Sequence, residues 1–470
     1  MLTLIAPEIC ITIMACLVLL SDFFVKKYAG FFNYILSLFA LAVAAGLTIA
    51  ITPDTTQRIF NDSFIVDRFA CQLKMVMYVL LASIFIYSRV YGKKRNLLLS
   101  EFFSLTLFSL LGMMILISCA NFLSLYLGLE LLVLPIYAMI VLVKNQSKYI
   151  EAAMKYFIIG SLGAGLLLYG ISLIYGATGS ISFEQISVIS ETSALFKLGM
   201  LFVITGIALE FGAVPFHMWL PDVYEGSPTT VTMIVSTVPK IAVFALSYRL
   251  LTLAFPAITH EWQQLFLIMA LASVALGNIM AIAQSNLKRM LAYSTISHVG
   301  FILLGLFVAP QEGYTAVIFY TIVYAFMALA AFAMIMRLSS AGFEADQIAD
   351  LRGLNKTSPW LAFIMLLIML SLSGVPPLIG FYAKFLILQA IVNAGFAWVA
   401  IIALLTTVIG AFYYLKVACV MYFEEPNFMP VMCPDMSRLG KVLLSAHGIL
   451  LLVLGVLPAP VLYFCLDVFR

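Results

Sequence analysis

The stretch TVTMIVSTVPKIAVFALSYRL, residues 230–250, decides how this chain folds. It is long and apolar enough to cross a bilayer as one helix, which needs about 20 residues. It nevertheless carries Lys240, directly after Pro239 and close to its centre. An ionisable group at mid-bilayer costs roughly 2.5–3.5 kcal/mol on insertion scales, so such residues usually face a polar cavity and move ions or protons.

Two further apolar segments each hold an isolated charge. Glu130 lies in NFLSLYLGLELLVLPIYAMIVLV (121–143), roughly 13–14 Å deep at about 1.5 Å per residue. Lys384 lies in PPLIGFYAKFLILQAIV (376–392), after a pair of prolines. We predict that all three charges carry protons. The structural alternatives are an ion pair or a neutral, hydrogen-bonded acid for Glu130, a helix-locking ion pair for Lys240, and a lysine that reaches the interface for Lys384.

The composition indicates the class of protein. The chain has 470 residues, of which 64% are hydrophobic and 10% charged, and its mean hydropathy is +1.11. A soluble domain carries about 25% charged residues, so we predict an all-α integral membrane protein. The N-terminus has no basic region before its apolar core, which favours a first spanning helix over a cleaved signal. The net charge of +3, without a basic patch, argues against nucleic acid as a partner.

The apolar blocks predict fourteen spans, and two of them are interrupted. The seventh ends in GAVPFHMWLPD and the twelfth contains SLSGVPPLIGF. Proline removes a backbone donor, and a broken helix is tolerated in lipid only where protein buries it or where it lines a cavity. The predicted spans are residues 2–22, 30–51, 70–90, 100–118, 121–143, 153–176, 195–213, 229–250, 262–284, 288–308, 313–337, 358–392, 396–422 and 440–464.

Lysine and arginine are distributed unequally between the two sets of loops. With the N-terminus outside, the odd-numbered loops hold fifteen of these residues. The opposite side holds six: Arg58, Arg68, Lys74, Lys197, Arg249 and Arg470. Because positively charged loops stay in the cytoplasm, we predict that both termini lie on the periplasmic side.

The two interruptions resemble each other, since GAVP (212–215) and SGVP (373–376) each break a helix. Broken segments at matching places in two halves indicate inverted repeats with a site at the midplane. Glu210 and His217 lie close to the first break, and His298 lies in the middle of its span in AYSTISHVGFILLG. We select all three as candidates, the two histidines because histidine can relay protons near pH 7. The alternatives are an acid facing water at a helix end and two histidines satisfied within the core. Lys155 opens its span and is a candidate that could instead sit at the membrane edge.

Other kinds of site have no signature in the sequence. The seven cysteines form no C-x-x-C pair, and neither a phosphate loop nor H-E-x-x-H occurs. We therefore expect no metal, cofactor, redox or hydrolytic chemistry in this chain. The pair Tyr413 and Tyr414 is interpreted as core or interfacial aromatics rather than as part of a site.

Longer motifs resemble the antiporter-like membrane subunits of respiratory complex I. The run VPFHMWLPDVYEGSPTTVTMIVSTVPK (214–240) is similar to the signature of that family. Further similar runs follow in the same order over nearly the whole chain: IAPEI (5–9), EAAMKYFIIGSLGAG (151–165), LAYSTISHVGF (291–301) and DLRGLNKTSPWLAFIMLLIMLSLSGVPPLIGFYAKF (350–385).

The resemblance implies a division of one membrane domain. It places a three-helix segment at 1–99, inverted five-helix repeats at 100–250 and 262–422, and a last helix at 440–464. The family's fifth-helix acid maps to Glu130, its eighth-helix lysine to Lys240 and its twelfth-helix lysine to Lys384. Three more residues match polar positions of the family: Lys155, His217 and His298.

One position departs from the family. Its seventh helix usually carries a lysine that pairs with the fifth-helix acid, whereas this chain has Glu210 there. Two carboxylates in a desolvated site cannot both ionise cheaply. We therefore expect a shared proton, or a nearby lysine (Lys155 or Lys240), to replace the usual ion pair.

The function that the resemblance implies is proton translocation within a bacterial NADH:quinone oxidoreductase of the inner membrane. The partners would be other membrane subunits of complex I, including further antiporter-like ones. FMN, iron–sulfur clusters, NADH and quinone would be bound by other subunits, and none by this chain. A subunit of a multisubunit cation/proton antiporter or of a membrane-bound hydrogenase is the nearest alternative. A solitary transporter and a purely structural scaffold stay open as other classes.

Overall fold

The computed structural model describes residues 2–24, 29–95, 97, 100–143, 146–188, 193–308, 312–340, 343–426 and 436–468. Helices dominate these residues, with three short 3-10 turns and one two-stranded hairpin. The helices are α1 Ala6–Phe24, α2 Ala29–Ile51, α3 Arg68–Lys94, α4 Ser100–Ser118, α5 Phe122–Ile140, α6 Ser147–Thr178, α7 Phe183–Ser187, α8 Ala194–Phe211, α9 Trp219–Gly226, α10 Thr229–Leu253, α11 Thr259–Ile282, α12 Leu287–Val308, α13 Glu312–Leu338, α14 Leu354–Thr357, α15 Pro359–Ser373, α16 Ile379–Asn393, α17 Ala397–Phe423, α18 Arg438–Val456 and α19 Ala459–Asp467.

Within the described residues, thirteen helices are long and apolar enough to cross a membrane, and α15 with α16 adds one interrupted span. The predicted all-α membrane fold, with breaks in its seventh and twelfth spans, is thereby confirmed. The seventh span consists of α8 and α9, and the twelfth of α15 and α16. The order of three helices, one broken helix and one further helix occurs twice along the chain. The exact boundaries of the two repeats stay a prediction.

Two features differ from the prediction. The strands β1 (Gln57–Ile59) and β2 (Phe64–Val66) form an antiparallel hairpin in a predicted loop. Strands this short leave no recognisable alternation in the sequence. The last predicted span is two helices, α18 and α19, because Pro458 begins a new helix and cannot continue the ladder of the previous one.

The centre of the molecule is built from α10, α12 and α13. In the apolar stretches of these three helices, 100%, 100% and 94% of the residues are buried within the protein, against 28% in α6 and α17. Helix α10 packs on α13, α3 and α4, and α12 packs on α9, α13 and α16. The helices that join the two halves are therefore the ones withdrawn from lipid, and charges on them are enclosed by protein.

Loops of the same parity contact one another. On one face Arg95 pairs with Glu344 at 3.2 Å, and the amide of Ile348 donates to the carbonyl of Ser285 at 2.9 Å. On the other face Arg58 pairs with Glu184. Even-numbered and odd-numbered loops thus occupy separate faces, as expected for a chain that crosses the membrane fourteen times.

Two residues that we assigned to outer loops are instead buried within helices. Lys74 of α3 donates to Glu8 at 2.6 Å, and Arg249 of α10 donates to Asp67 at 2.7 Å. Although burial raises the pKa of the Asp67 carboxyl, the charge and hydrogen bond of Arg249 outweigh it and hold the pKa below its usual range. The assignment of Lys74 and Arg249 to loops was wrong. Each is buried beside an acid from another part of the chain, and the sequence does not show which acid that is.

Candidate functional site

The first break begins where α8 ends at Gly212, whose φ of 73° is left-handed and suits glycine. The last four carbonyls of a helix have no partner within the helix. Two of them are satisfied locally: Ala208 accepts from the amide of Ala213, and Leu209 accepts from Gly212 and from the indole of Trp219. The carbonyls of the last two residues remain for another donor.

Lys240 of α10 supplies that donor. Its ammonium donates to the carbonyls of Glu210 and Phe211 at 3.0 and 2.9 Å. It also lies 5.5 Å from the ring of Trp219, within the range of a cation–π contact. Lys240 is only 1% exposed, so its charge is balanced inside the protein rather than by water.

The second break repeats this geometry. Helix α15 ends at Gly374, whose φ is 86°. The amides of Gly374 and Val375 satisfy the carbonyls of Leu370 and Ser371 at 3.0 to 3.1 Å. As in the first break, the two earlier carbonyls of the last turn are paired and the two later ones are open to a side chain.

Lys384 of α16 fills that position across the break in its own helix. Its ammonium donates to the carbonyls of Leu372 and Ser373 at 3.1 and 2.8 Å. The ring of Phe301 lies 5.6 Å away. Lys384 is therefore held at the break and does not extend to the membrane interface, which was its structural alternative.

The two lysines share one physical device. A helix C-terminus carries roughly half a negative charge, which favours a cation. A carbonyl dipole stays in place when the lysine loses its proton, whereas a carboxylate partner would be left as an unpaired charge. We call the two free carbonyls at the end of such a helix, which accept hydrogen bonds from a lysine, a lysine seat. A lysine seat holds an ammonium ion while leaving it free to exchange a proton.

The acids Glu210 and Glu130 flank Lys240. Glu210 is 7% exposed and interacts electrostatically with both Lys240 and Glu130. Glu130 is only half-buried and interacts electrostatically with Tyr126, one turn earlier in α5. The structure thus brings the two carboxylates and one lysine into a single cluster, and Lys240 is the cation that acts on Glu210.

Lys155 lies elsewhere. It pairs with Asp222 and Glu151, both at 2.8 Å, and its side chain is 43% exposed. Asp222 also accepts from Arg289 at 2.7 Å, so Lys155 belongs to a polar cluster at one face. The expectation that Lys155 could neutralise the Glu130–Glu210 pair is wrong in position, because Lys155 lies near one end of the long helix α6.

His298 joins Lys384 in the second repeat. It is 3% exposed, and the charge of Lys384 acts on it. Its two ring nitrogens face the hydroxyls of Tyr320 and Tyr414 at 2.6 and 3.3 Å. A neutral imidazole offers one donor and one acceptor, so a histidine between two hydroxyl groups can take a proton on one side and release it on the other.

His217 lies in the first break, between α8 and α9. It is 8% exposed and lies beside the backbone of Pro215. Its Nδ1 has no hydrogen-bond partner among the described residues. The structure therefore places His217 at the break without joining it to the Lys240 cluster.

Sequence reasoning missed the tyrosines around His298. Tyr414 is 2% exposed and bonds to Ser294 at 2.5 Å as well as to His298. Our interpretation of Tyr413 and Tyr414 as core residues describes their burial, but it overlooked their polar contacts. The signal that could have found them is a polar run in one apolar span, YSTISH at 293–298, which needs partners on facing helices.

The arrangement as a whole is two titratable clusters in the core of a helical membrane protein. One contains Glu130, Glu210 and Lys240, and the other contains His298 and Lys384. Among the described residues no group of three or more histidine, cysteine or acidic side chains could hold a metal ion. The chemistry available to these groups is the holding and passing of protons.

Comparisons with known proteins agree with this geometry. Residues 119–410 match the family described as NADH:quinone oxidoreductase/Mrp antiporter, TM. The chain is 48% identical to NADH-quinone oxidoreductase subunit N of Thioalkalivibrio sulfidiphilus, covering 96% of this chain and 95% of that protein.

Solved structures show the same fold. A chain of respiratory complex I from Thermus thermophilus matches with a TM-score of 0.83 and 30% identity, over 97% of this chain and 98% of that one. A chain of the Mrp complex from a Dietzia species matches with a TM-score of 0.84 and 21% identity, over 98% and 96% of the two chains. The chain therefore belongs to the family of antiporter-like membrane subunits shared by NADH:quinone oxidoreductase and Mrp antiporters, and within it to the subunit N type.

Proposed function

We propose that this chain is the proton-translocating subunit N of a bacterial NADH:quinone oxidoreductase. Electron transfer from NADH to quinone takes place in other subunits, which hold FMN and the iron–sulfur clusters. The observation that carries the proposal is the pair of lysines, Lys240 and Lys384, each seated on the last two carbonyls of a broken helix. Both seats lie inside membrane spans, where an ionisable group has few structural uses.

The two clusters suggest how protons move. Lys240 can give up its proton while its two carbonyl partners stay in place, and Glu210 and Glu130 beside it set the local charge. His298 stands next to Lys384 and contacts hydroxyl groups with both ring nitrogens. A change in charge at one cluster alters the cost of holding a proton at its neighbour, which is a coupling that acts through electrostatics.

We further propose that the chain lies in the inner membrane with both termini on the periplasmic side. The separate faces formed by odd-numbered and even-numbered loops support the parity of the topology. Setting aside the residues that are buried within helices, Lys74 and Arg249 on the outer side and Lys288 and Arg337 on the inner side, changes the tally from fifteen against six to thirteen against four. The excess of lysine and arginine on the cytoplasmic side is therefore kept.

A role in a multisubunit cation/proton antiporter is the second candidate, because a chain of an Mrp complex has the same fold. Co-purification separates the two. A tagged chain extracted in mild detergent should bring with it dehydrogenase subunits that reduce quinone with NADH. Recovery with small antiporter subunits alone, or as a solitary stable protein, would contradict the proposal.

Replacement of Lys240 by methionine tests the proton role. Removing a positioned proton-transfer group costs about 10²-fold or more in rate, so Lys240→Met should reduce NADH-driven proton uptake by inverted membrane vesicles by about that factor. NADH oxidation with ferricyanide, which needs no proton pumping, reports whether the complex has assembled. Lys416→Met, which removes an exposed lysine of α17, is the matched control and should pump normally.

The result that would defeat the proposal is equally definite. If Lys240→Met and Lys384→Met both assemble and pump like the unchanged complex, the two seated lysines are structural. The chain would then be a scaffold within the complex.

A further inference from the structure

Buried tyrosines lie between the two titratable clusters. On the side of the first repeat, Tyr156 stacks on Trp219 at 4.4 Å and interacts electrostatically with Glu210 and Tyr224. Both tyrosines are fully or almost fully buried, at 2% and 0% exposed. Tyr224 lies in α9, which packs directly on α12 of the second repeat, so its side chain stands at the seam between the repeats.

The Tyr224 hydroxyl is poorly satisfied for a buried polar group. It faces Thr295 of α12, but no described residue gives it a hydrogen bond of normal geometry. Buried hydroxyls in proteins are nearly always bonded to protein or to ordered water. A buried hydroxyl without a fixed protein partner contributes little to the stability of the fold. The presence of tyrosine rather than phenylalanine at position 224 therefore has another reason.

From Thr295 onward a series of buried hydroxyl groups follows. Tyr324 donates to Thr295 at 2.8 Å and interacts with Tyr414. Tyr414 faces Nε2 of His298 at 3.3 Å. Thr295, Tyr324, Tyr414 and His298 are each at most 3% exposed, so this series runs from the seam to the second cluster without opening to solvent.

We propose that Tyr224, Thr295, Tyr324 and Tyr414 form the proton connection between the two repeats, so that protons cross the seam along hydroxyl groups. This inference rests on the proposed function. It adds a route and four relay residues that lie between the acid–lysine cluster and the histidine–lysine cluster.

The chemistry balances at every step. A hydroxyl oxygen accepts a proton from one neighbour and releases its own proton to the next, and rotation of the hydroxyl restores the starting arrangement. The side chain is neither oxidised nor left charged. Tyrosine and threonine are suited to this because each hydroxyl is both donor and acceptor, and water can bridge the open step at Tyr224.

Tyr224→Phe is the decisive variant, because it removes a single oxygen atom that forms no hydrogen bond of normal geometry with a described residue. The change should therefore cost little stability. We expect NADH-driven proton uptake by inverted vesicles to fall by about tenfold or more, while NADH–ferricyanide activity and assembly stay unchanged. The matched control is Tyr87→Phe. It removes a buried hydroxyl that contacts His447 at 3.3 Å, away from the seam, and should leave pumping intact.

Thr295 provides an independent pair of variants. Thr295→Val keeps the shape and removes the hydroxyl, so it should impair pumping, whereas Thr295→Ser keeps the hydroxyl and should restore it. A merely structural role would make valine the milder of the two changes. This pair also keeps the inference testable if Tyr224→Phe does not assemble.

The outcomes separate this inference from the function on which it rests. Normal pumping by Tyr224→Phe and Thr295→Val, with pumping lost in Lys240→Met, overturns the hydroxyl route and leaves the proposed function in place. Normal pumping in all three variants and in Lys384→Met would overturn both.

Discussion

The two helix breaks use the same backbone geometry and differ in how they balance charge. In the first, Lys240 comes from a separate helix, and the carboxylate of Glu210 lies in the same cluster. In the second, Lys384 comes from the same broken span, and no carboxylate in the described part of the chain is within ion-pair distance of it. Its neighbours are His298 and the ring of Phe301.

The difference teaches that the seat and the counter-charge are separable. The helix C-terminus positions the ammonium in both repeats, whereas an acid is present in only one. A proton leaving Lys240 leaves Glu210 less compensated in a medium where an unpaired charge is expensive. A proton leaving Lys384 leaves only neutral dipoles, so the two sites should respond differently to the same disturbance.

Glu210→Gln removes this difference and has the largest expected effect. The backbone carbonyl that holds Lys240 is retained, so the seat survives and only the charge is lost. We expect proton uptake by inverted vesicles to fall by about 10²-fold. Glu261→Gln, which removes a surface acid paired with Lys197, should pump normally. Unaltered pumping in Glu210→Gln would show that the acid plays no part, and that neither a shared proton nor a pairing with Lys240 matters.

Gly374→Ala tests the second seat. A side chain at φ 86° costs about 1–2 kcal/mol, and the added methyl carbon would lie 2.9 Å from Cδ of Lys384. Crowding of that kind adds about 1–3 kcal/mol and pushes the lysine off its carbonyls. We expect both a lower thermal midpoint of the purified complex and weaker pumping.

Gly395 is the matched control for that change, and Gly212 at the first break offers a comparison. Gly395 has the same φ of 86° with nothing within 4 Å, so Gly395→Ala should show the backbone cost alone and pump normally. Gly212 has a φ of 73°, and a methyl group there would meet Leu220 rather than a lysine. If Gly374→Ala pumps as well as Gly395→Ala, the exact position of Lys384 is unimportant.

Ser273→Ala probes how each break satisfies its freed backbone and has the smallest expected effect. The amide of Val214 donates to Ser273 at 2.9 Å, and in the second break the amide of Gly380 donates to Ser371 at 3.3 Å. Loss of one hydrogen bond costs about 1 kcal/mol, or about 2–4 °C in the thermal midpoint of a large domain.

The shorter bond should be the stronger one, so Ser273→Ala should lower the midpoint more than Ser371→Ala. Both variants should still pump, because neither serine touches a lysine. An equal or reversed order would mean that distance is a poor guide to the strength of these two bonds.

The sequence alone predicted the membrane fold, the fourteen spans and both breaks. Each of these follows from local properties: the length of an apolar run, or a proline and glycine that cannot continue a helix. Glu130, Lys240 and Lys384 were recognisable for the same reason, since a lone charge in an apolar span stands out without knowledge of its neighbours. The resemblance to the family added the comparison with its usual seventh-helix lysine.

The tertiary structure decided everything that depends on which helices touch. It moved Lys155 to a surface cluster, gave Lys74 and Arg249 buried acids as partners, and seated two lysines on carbonyls that no side-chain pattern reveals. It also placed Thr295, Tyr324 and Tyr414, whose hydroxyls come from three different helices, in the buried surroundings of His298. Hydropathy predicts which segments leave water, and it can be read from one segment at a time. A hydrogen bond between distant segments depends on how the helices pack, and no single segment determines that packing.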